Sequence, residues 1–157
     1  MNRPHVLDLV GTLARLALAA VWLVSGTLKA IDPDQTVVAV RAYDVLSRSA
    51  VDVVAAVLPF LEIGLGLLLV LGIGTRLVAV VSALLLLVFL AGVGQAWARG
   101  LSIDCGCFGG GGAVAPGATA YLQEILRDTG FLALAAWLIA RPRTLLSVDA
   151  RLSAERT

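Results

Sequence analysis

The chain has few charged residues for its length, and this shortage is the first indication of its class. Charged residues make up 15% of its 157 residues, and hydrophobic residues make up 59%. A soluble domain usually has about 25% charged and about 45–50% apolar residues. The formal net charge is +1, and the cations, which include the single lysine Lys29, are scattered along the chain. The composition therefore excludes a typical soluble domain and gives no support to nucleic-acid binding.

Soft metal ligands are also scarce. The chain has 2 cysteines, 1 histidine (His5) and 1 methionine (Met1). A site for zinc or copper normally draws on more such ligands than these. We therefore predict no metal site, although a metal-handling protein remains one alternative because the two cysteines lie so close together.

Long apolar segments make up most of what is present. We predict transmembrane helices at residues 9–30, 53–71, 77–98 and 120–140, each near the roughly 20 residues that cross a bilayer. A cleaved signal peptide is the competing interpretation of the first segment, but no small-x-small cleavage site follows it. The sequence predicts an all-α integral membrane protein, a four-helix bundle that forms a single domain over residues 1–157.

The segment between the first two spans, residues 31–52, is polar but patterned. Asp32 followed by Pro33 is typical of a helix start. We expect an amphipathic helix along the membrane surface or over the end of the bundle, with a solvated linker as the alternative. Its apolar face would comprise Val37, Val38, Val40, Tyr43, Val45 and Leu46.

Glu62 lies in the apolar part of the second span, whose uniform apolar character Pro59 interrupts. An unpaired carboxylate at that depth is costly, so Glu62 should be protonated, paired or directed at a polar cavity. Lys29, at the end of the first span, is a candidate partner. A proton-handling or ligand-anchoring site and a purely structural ion pair both remain open.

The only two cysteines, Cys105 and Cys107, are separated by one glycine in a glycine-rich loop before the fourth span. A disulfide between them would close a strained ring that is easily reduced, which suits exchange chemistry. A purely structural disulfide in so small a loop would remove little chain entropy. Asp104 should oppose ionisation of its neighbour, so we expect Cys107 to be the nucleophile in the reduced form.

Three ionisable residues, Glu124, Arg127 and Asp128, mark the start of the fourth span. Glu124 and Arg127 have the i, i+3 spacing of a helical ion pair. Asp128 could instead pair with Lys29 or Arg99. A solvated helix start, whose acidic residues match the helix dipole, is the simpler interpretation.

Cations near the ends of the spans predict the orientation. With four spans, the side of both termini holds more cations than the side of the cysteine loop, which places the termini in the cytoplasm and the loop outside. Disulfides persist outside the cytosol, in agreement with this orientation. The two sets are Arg3, Arg76, Arg141, Arg143, Arg151 and Arg156 on the first side, and Lys29, Arg41, Arg48 and Arg99 on the second.

Short elements along most of the chain match a known pattern. They are Gly26-Thr27-Leu28-Lys29 with Asp32-Pro33, Tyr43, Pro59 with Glu62, Asp104-Cys105-Gly106-Cys107-Phe108-Gly109, and Arg127-Asp128. Together they resemble the methylamine-utilisation protein MauE family, within the broader DoxX-like group of four-helix membrane proteins. The resemblance covers about residues 15–141, and the Cys-Gly-Cys-Phe-Gly element is its most specific part.

The resemblance implies a bacterial inner-membrane protein that helps to mature methylamine dehydrogenase. Its partner would be a periplasmic thioredoxin-like protein, with which it acts on the disulfides of the enzyme's small subunit. The implied site has Cys105 and Cys107 as its reacting residues. The supporting residues would be Asp104, Gly106, Phe108, Gly109, Lys29, Glu62, Arg127 and Asp128.

Membrane enzymes that oxidise thiols with quinone offer a looser analogy, which makes a quinone a possible electron acceptor. Those enzymes typically use two cysteine pairs, whereas this chain has one. The single pair must therefore meet both the partner and the acceptor, or the acceptor step lies elsewhere. A non-enzymatic assembly or anchoring factor with a structural loop disulfide is the main alternative.

Overall fold

A computed structural model describes residues 3–145 and 147–149 of the chain. Within these residues the chain forms five helices and one small hairpin, so the expected all-α class is confirmed in its main lines. The helices are α1 (Arg3–Ile31), α2 (Pro33–Ala42), α3 (Arg48–Leu71), α4 (Thr75–Ala98) and α5 (Tyr121–Ala140). Strands β1 (Ile103–Asp104) and β2 (Gly112–Ala113) pair antiparallel between α4 and α5. Arg151 and Arg156, which enter the count of cations, lie outside the described residues.

Three helices of the described part are long and apolar enough to cross a membrane: α1 from His5 to Ile31, α3, and α4. The two shorter ones have 24 residues each, or about 36 Å of helix against about 30 Å of hydrocarbon. In α5, Glu124, Arg127 and Asp128 occupy the first two turns, and only Thr129–Ala140 is free of charge. A fourth crossing by α5 therefore stays a prediction.

The starts of two helices differ from the prediction. α1 begins at Arg3 rather than at residue 9, and α3 begins at Arg48 rather than at residue 53. The earlier start of α3 has a local cause, because the Ser47 hydroxyl accepts a hydrogen bond from the Ala50 N–H at 3.4 Å. α3 runs through Pro59 without interruption. A proline inside an apolar helix is tolerated where neighbouring elements surround the freed backbone groups.

The amphipathic helix is confirmed as α2, but its buried face is not the expected one. It begins as predicted, with Asp32 accepting a hydrogen bond from the Gln35 N–H at 3.1 Å. Its buried residues are Thr36 and Ala39, and the predicted Val45 and Leu46 lie beyond its end and are exposed. α2 packs through small residues onto α3, α1 and the hairpin, so the linker alternative was wrong.

The core lies where α1 meets α3 and α5, and where α4 meets α5. Large buried side chains fill it, among them Leu18, Trp22, Leu69, Leu86 and Leu138. α1 and α3 cross closely, and a methyl group added at Gly26 would lie 2.7 Å from the Pro59 carbonyl oxygen. This close approach brings the last turns of α1 against the middle of α3.

The two ends of the helices carry different structures. The cysteine loop and α2 cover one end. At the other end the segment after α5 folds back, and the Asp149 carboxylate accepts a hydrogen bond from the Gly74 N–H at 2.9 Å. The Arg15 guanidinium, near the middle of α1, donates to the Leu145 carbonyl at 3.1 Å. α5 thus runs from the cysteine loop to the end that holds the α3–α4 turn.

Candidate functional site

A buried ion pair lies beneath the cysteine loop. The Lys29 Nζ is 2.9 Å from both carboxylate oxygens of Glu62. The side chains are 8% and 0% exposed. The structure therefore confirms Lys29 as the partner of Glu62, and the close crossing at Gly26 is what lets a side chain of α1 reach the middle of α3.

Ser25 connects this ion pair to the cysteine loop. It lies one helical turn before Lys29, so both side chains share a face of α1. Ser25 Oγ is 2.6 Å from Lys29 Nζ and 2.9 Å from a Glu62 oxygen. It also lies 2.6 Å from the Cys107 carbonyl oxygen, to which Lys29 donates at 3.3 Å. The backbone at Cys107 is thus anchored to a charged pair between two spans.

Glycines shape the loop so that it lies flat on α2. Gly106 has φ +68° and Gly111 has φ +102°, both in the left-handed region that other residues avoid. A methyl group at either position would lie within 2.7 Å of the Ala39 Cβ. The Gln35 amide also donates to the Gly111 carbonyl at 2.7 Å. These contacts place the Cys-Gly-Cys turn between α2 and the ion pair.

Both cysteines are free thiols, and their surroundings differ. Cys105 is buried, whereas Cys107 is partly exposed. The Cys105 Sγ accepts from the Cys107 N–H at 3.3 Å and from the Arg127 guanidinium at 3.6 Å. A sulfur with such donors is stabilised as a thiolate.

The contacts favour ionisation of Cys105, which is the opposite of the order expected from Asp104, and the identity of the attacking sulfur stays a prediction. A hydrogen bond from Cys107 lowers the pKa of the Cys105 thiol, and the Arg127 guanidinium lowers it further. The hydrogen bond between the two thiol groups, together with burial, raises the pKa of Cys107 well above its usual value. Asp104 fails to reverse this order because it is exposed and its carboxylate accepts the Gly106 N–H at 3.2 Å.

Arg127 is held in place by two of the other predicted site residues. Its Nε lies 3.1 Å from Asp128 Oδ1, and its guanidinium carbon lies 4.9 Å from the centre of the Phe108 ring. Phe108 in turn packs edge-on against Phe131. A stacked and paired guanidinium loses little freedom when it also contacts the Cys105 sulfur.

The other ion pairs expected at the start of α5 are replaced by different contacts. Arg127 pairs with Asp128 rather than with Glu124, and Arg99 pairs with Asp44 at 2.8 Å. Glu124 is buried, and one of its oxygens lies 3.5 Å from the Cys105 backbone nitrogen. The interpretation of this region as a simple solvated helix start was wrong.

Asp104, Cys105 and Glu124 offer ligand atoms that all lie within 4.8 Å of one another, a spacing compatible with a metal ion. The Arg127 guanidinium, however, contacts the same Cys105 sulfur. A fixed positive charge at that distance opposes binding of a second cation. The donor set therefore fits a thiolate better than a metal.

Sequence reasoning missed Ser25 and the direct contact of Glu124 with the loop. It named Tyr43 only as part of an apolar helix face and as a matching element. The Tyr43 hydroxyl donates to the Cys105 carbonyl at 3.2 Å. A signal for Ser25 was present, since a hydroxyl four residues before a buried lysine lies on the same helical face. The roles of Glu124 and Tyr43 depend on how distant elements pack.

The fold and the site define a class: a helical membrane protein with a Cys-Gly-Cys loop anchored to an ion pair between two apolar helices. Comparison with protein families is consistent with this class. The chain belongs to the family of the methylamine utilisation protein MauE, whose pattern it matches over residues 7–141. Membership suggests a role in methylamine utilisation. Searches of curated proteins and of solved structures found no match.

Proposed function

We propose that the protein is a membrane thiol–disulfide exchange factor, with Cys105 and Cys107 as its reacting pair and an extracytoplasmic thioredoxin-fold protein as its partner. The observation that carries the proposal is the asymmetry of the two sulfurs. One is buried beside a guanidinium, and the other belongs to a partly exposed residue. Exchange needs such a pair, because one sulfur must be reached by the partner and the other must leave readily.

The topology supports an extracytoplasmic cysteine loop. If α1, α3 and α4 each cross the membrane, as their length and apolar composition allow, the loop lies on the opposite side from the N-terminus. With α5 as a fourth crossing, the cation count favours a cytoplasmic N-terminus. The path of α5 favours a fourth crossing and hence a four-helix bundle in the inner membrane, since its 20 residues give about 30 Å of helix.

The proposed exchange transfers two electrons from the partner to the cysteine loop. A thiolate of the partner attacks the Cys107 sulfur of the closed disulfide, and the ring bond breaks. The electron pair stays on Cys105, where the Arg127 guanidinium and the Cys107 N–H stabilise the thiolate. A second thiolate of the partner then attacks the mixed disulfide and releases Cys107. The partner is oxidised by two electrons and the loop is reduced by two.

The lowered pKa of Cys105 matters here because a thiol of low pKa is the better leaving group. The buried ion pair has a positioning role in this scheme. Ser25 and Lys29 both bond the Cys107 carbonyl, so they hold the sulfur-bearing turn while the ring opens and closes. Maturation of methylamine dehydrogenase is the substrate process that we propose from the family, with the disulfides of its small subunit as targets of the relay.

Single cysteine variants test the proposal. Cys105→Ser removes the loop thiol that can resolve a mixed disulfide by re-forming the ring, so a mixed disulfide between Cys107 and the partner should accumulate. Cys107→Ser should accumulate less, because Cys105 is buried. Non-reducing gels of membranes, followed by mass spectrometry of the shifted bands, identify both the bond and the partner.

The double variant, Cys105→Ser with Cys107→Ser, is the matched control and should trap no protein. If neither single variant traps a protein while both keep full activity in maturation, the exchange function is refuted. The alternative of an assembly or anchoring factor with a structural loop would then account for the family role.

A further inference from the structure

A cavity of about 470 Å³ lies beside the cysteine pair, between α2, α3, α4 and the loop. A volume of this size is typical of sites that hold a small organic molecule. Cys105, Gly106 and Cys107 form one part of its wall. The cavity therefore gives a small molecule access to the same residues that the proposed exchange uses.

The lining of the cavity divides into a polar part and an apolar part. Lys29, the two cysteines and Tyr43 contribute polar groups, while most of the remaining wall is aliphatic, including Val54 and Leu58 of α3. The lining also includes Val45, Leu46 and Val88, which are 56%, 44% and 64% exposed. The cavity thus opens at an apolar surface, next to helices that cross the membrane.

The ion pair presents its positive member to the cavity. Lys29 belongs to the lining, whereas Glu62 is fully buried behind it. A molecule in the cavity would therefore lie beside a lysine and two cysteines. Such an environment favours negative charge that develops on a ligand oxygen during reduction.

We infer that this cavity is a binding site for a prenylated quinone, which accepts the electrons of the cysteine pair. The inference rests on the proposed exchange function, because each round of partner oxidation leaves the loop as a dithiol that must be reoxidised. The apolar mouth suits a prenyl tail that enters from the bilayer. The polar end suits a ring whose carbonyl oxygens become anionic as it is reduced.

The reaction balances with the quinone as the only oxidant. A bond forms between the Cys105 and Cys107 sulfurs, and the S–H bond of Cys107 breaks. The electron pair passes to the quinone ring, whose two oxygens take one proton from Cys107 and one from water. The products are the loop disulfide and a quinol, which leaves through the apolar mouth. Electrons then flow from partner to loop to quinone, so a single cysteine pair serves both steps in turn.

Decylubiquinone binding to the purified, reduced protein in lipid nanodiscs tests the inference under anaerobic conditions. Quinone addition should convert both thiols to a disulfide with one equivalent of quinol formed, read by thiol titration and absorbance. Leu58→Trp and Val88→Trp, which fill the cavity, should each weaken binding at least about tenfold. Leu84→Trp is the matched control, because Leu84 lies one turn from Val88, is 59% exposed and is absent from the cavity wall; it should bind within about twofold of wild type.

The outcomes separate the inference from the function on which it rests. Absent binding, equal binding by the filling variants, or equal binding of decylbenzene, which lacks the quinone oxygens, would overturn the inference. Cys105→Ser combined with Leu58→Trp or with Val88→Trp should still trap the partner protein. Trapping without quinone binding would refute the quinone site and leave the exchange function intact, whereas quinone-driven thiol oxidation without trapping would refute only the exchange with a partner.

Discussion

Removing either member of the Lys29–Glu62 pair should destabilise the protein far more than removing both. Glu62→Leu leaves the Lys29 ammonium between two apolar helices without a carboxylate, with the Ser25 hydroxyl, the Cys107 carbonyl and the Phe89 ring as its remaining partners. Breaking a buried pair in this way costs about 3–5 kcal/mol of unfolding free energy. Lys29→Met should cost a similar amount, because it leaves the carboxylate with Ser25 alone.

The double variant, Lys29→Met with Glu62→Leu, removes both charges and should lie within about 1–2 kcal/mol of wild type. The coupling between the two positions should therefore be several kcal/mol, well above the roughly 0.5 kcal/mol within which independent sites add. Glu62→Gln is the conservative control, since its amide oxygen can still accept from Lys29 and Ser25.

Reversible unfolding in mixed micelles, followed by far-UV circular dichroism, measures these differences. The labelling rate of Cys107 gives a second readout, because loss of Lys29 also removes a hydrogen bond to the Cys107 carbonyl. If the double variant loses the sum of the two single losses, the two charges do not stabilise each other and the proposed anchor of the loop is wrong.

Two further changes test the loop itself. Arg127→Gln should raise the pKa of the Cys105 thiol, because it removes the charged donor to the sulfur. In protein that also carries Cys107→Ser, the pH midpoint of alkylation by iodoacetamide should then rise, and Arg127→Lys should raise it less. An unchanged midpoint in Arg127→Gln would contradict the assignment. Gly106→Ala should lower the free energy of unfolding by about 1–2 kcal/mol more than Gly117→Ala in the same assay. Both glycines have positive φ, but only a methyl group at Gly106 would press onto Ala39. Equal losses of stability would show that the loop does not pack on α2.

The ion pair could be predicted from the sequence because a charged side chain within an apolar segment needs a partner of opposite charge or a polar cavity. Glu62 needed a partner or a polar cavity, and Lys29 was the cation near the end of a neighbouring span. The start of α2 could be predicted for a similarly local reason, since an aspartate before a proline caps a helix.

The order of the two thiol pKa values could not be predicted, because it depends on contacts between distant parts of the chain. Arg127 reaches Cys105 only because α5 packs beside the loop. The neighbouring charge in the sequence, Asp104, indicated the other order, but its exposed carboxylate accepts the Gly106 N–H. The buried face of α2 was missed for the same reason, as it is set by a loop that presses glycines against Ala39.

Labelling with a membrane-impermeant maleimide in intact cells tests the central claim most directly, namely that the cysteine pair cycles as a disulfide outside the cytoplasm. The account predicts little labelling of the resting protein and strong labelling of the cysteine pair after mild reduction, without lysis. The matched control is Ile73→Cys in the protein that lacks both native cysteines. Residue 73 is 39% exposed in the α3–α4 turn and should be labelled only after permeabilisation.

Labelling of the native pair only after permeabilisation would place the loop in the cytoplasm and contradict the account. Full labelling without reduction would show that the pair does not rest as a disulfide. Protection before reduction, with labelling from outside after it, is the result that the account requires.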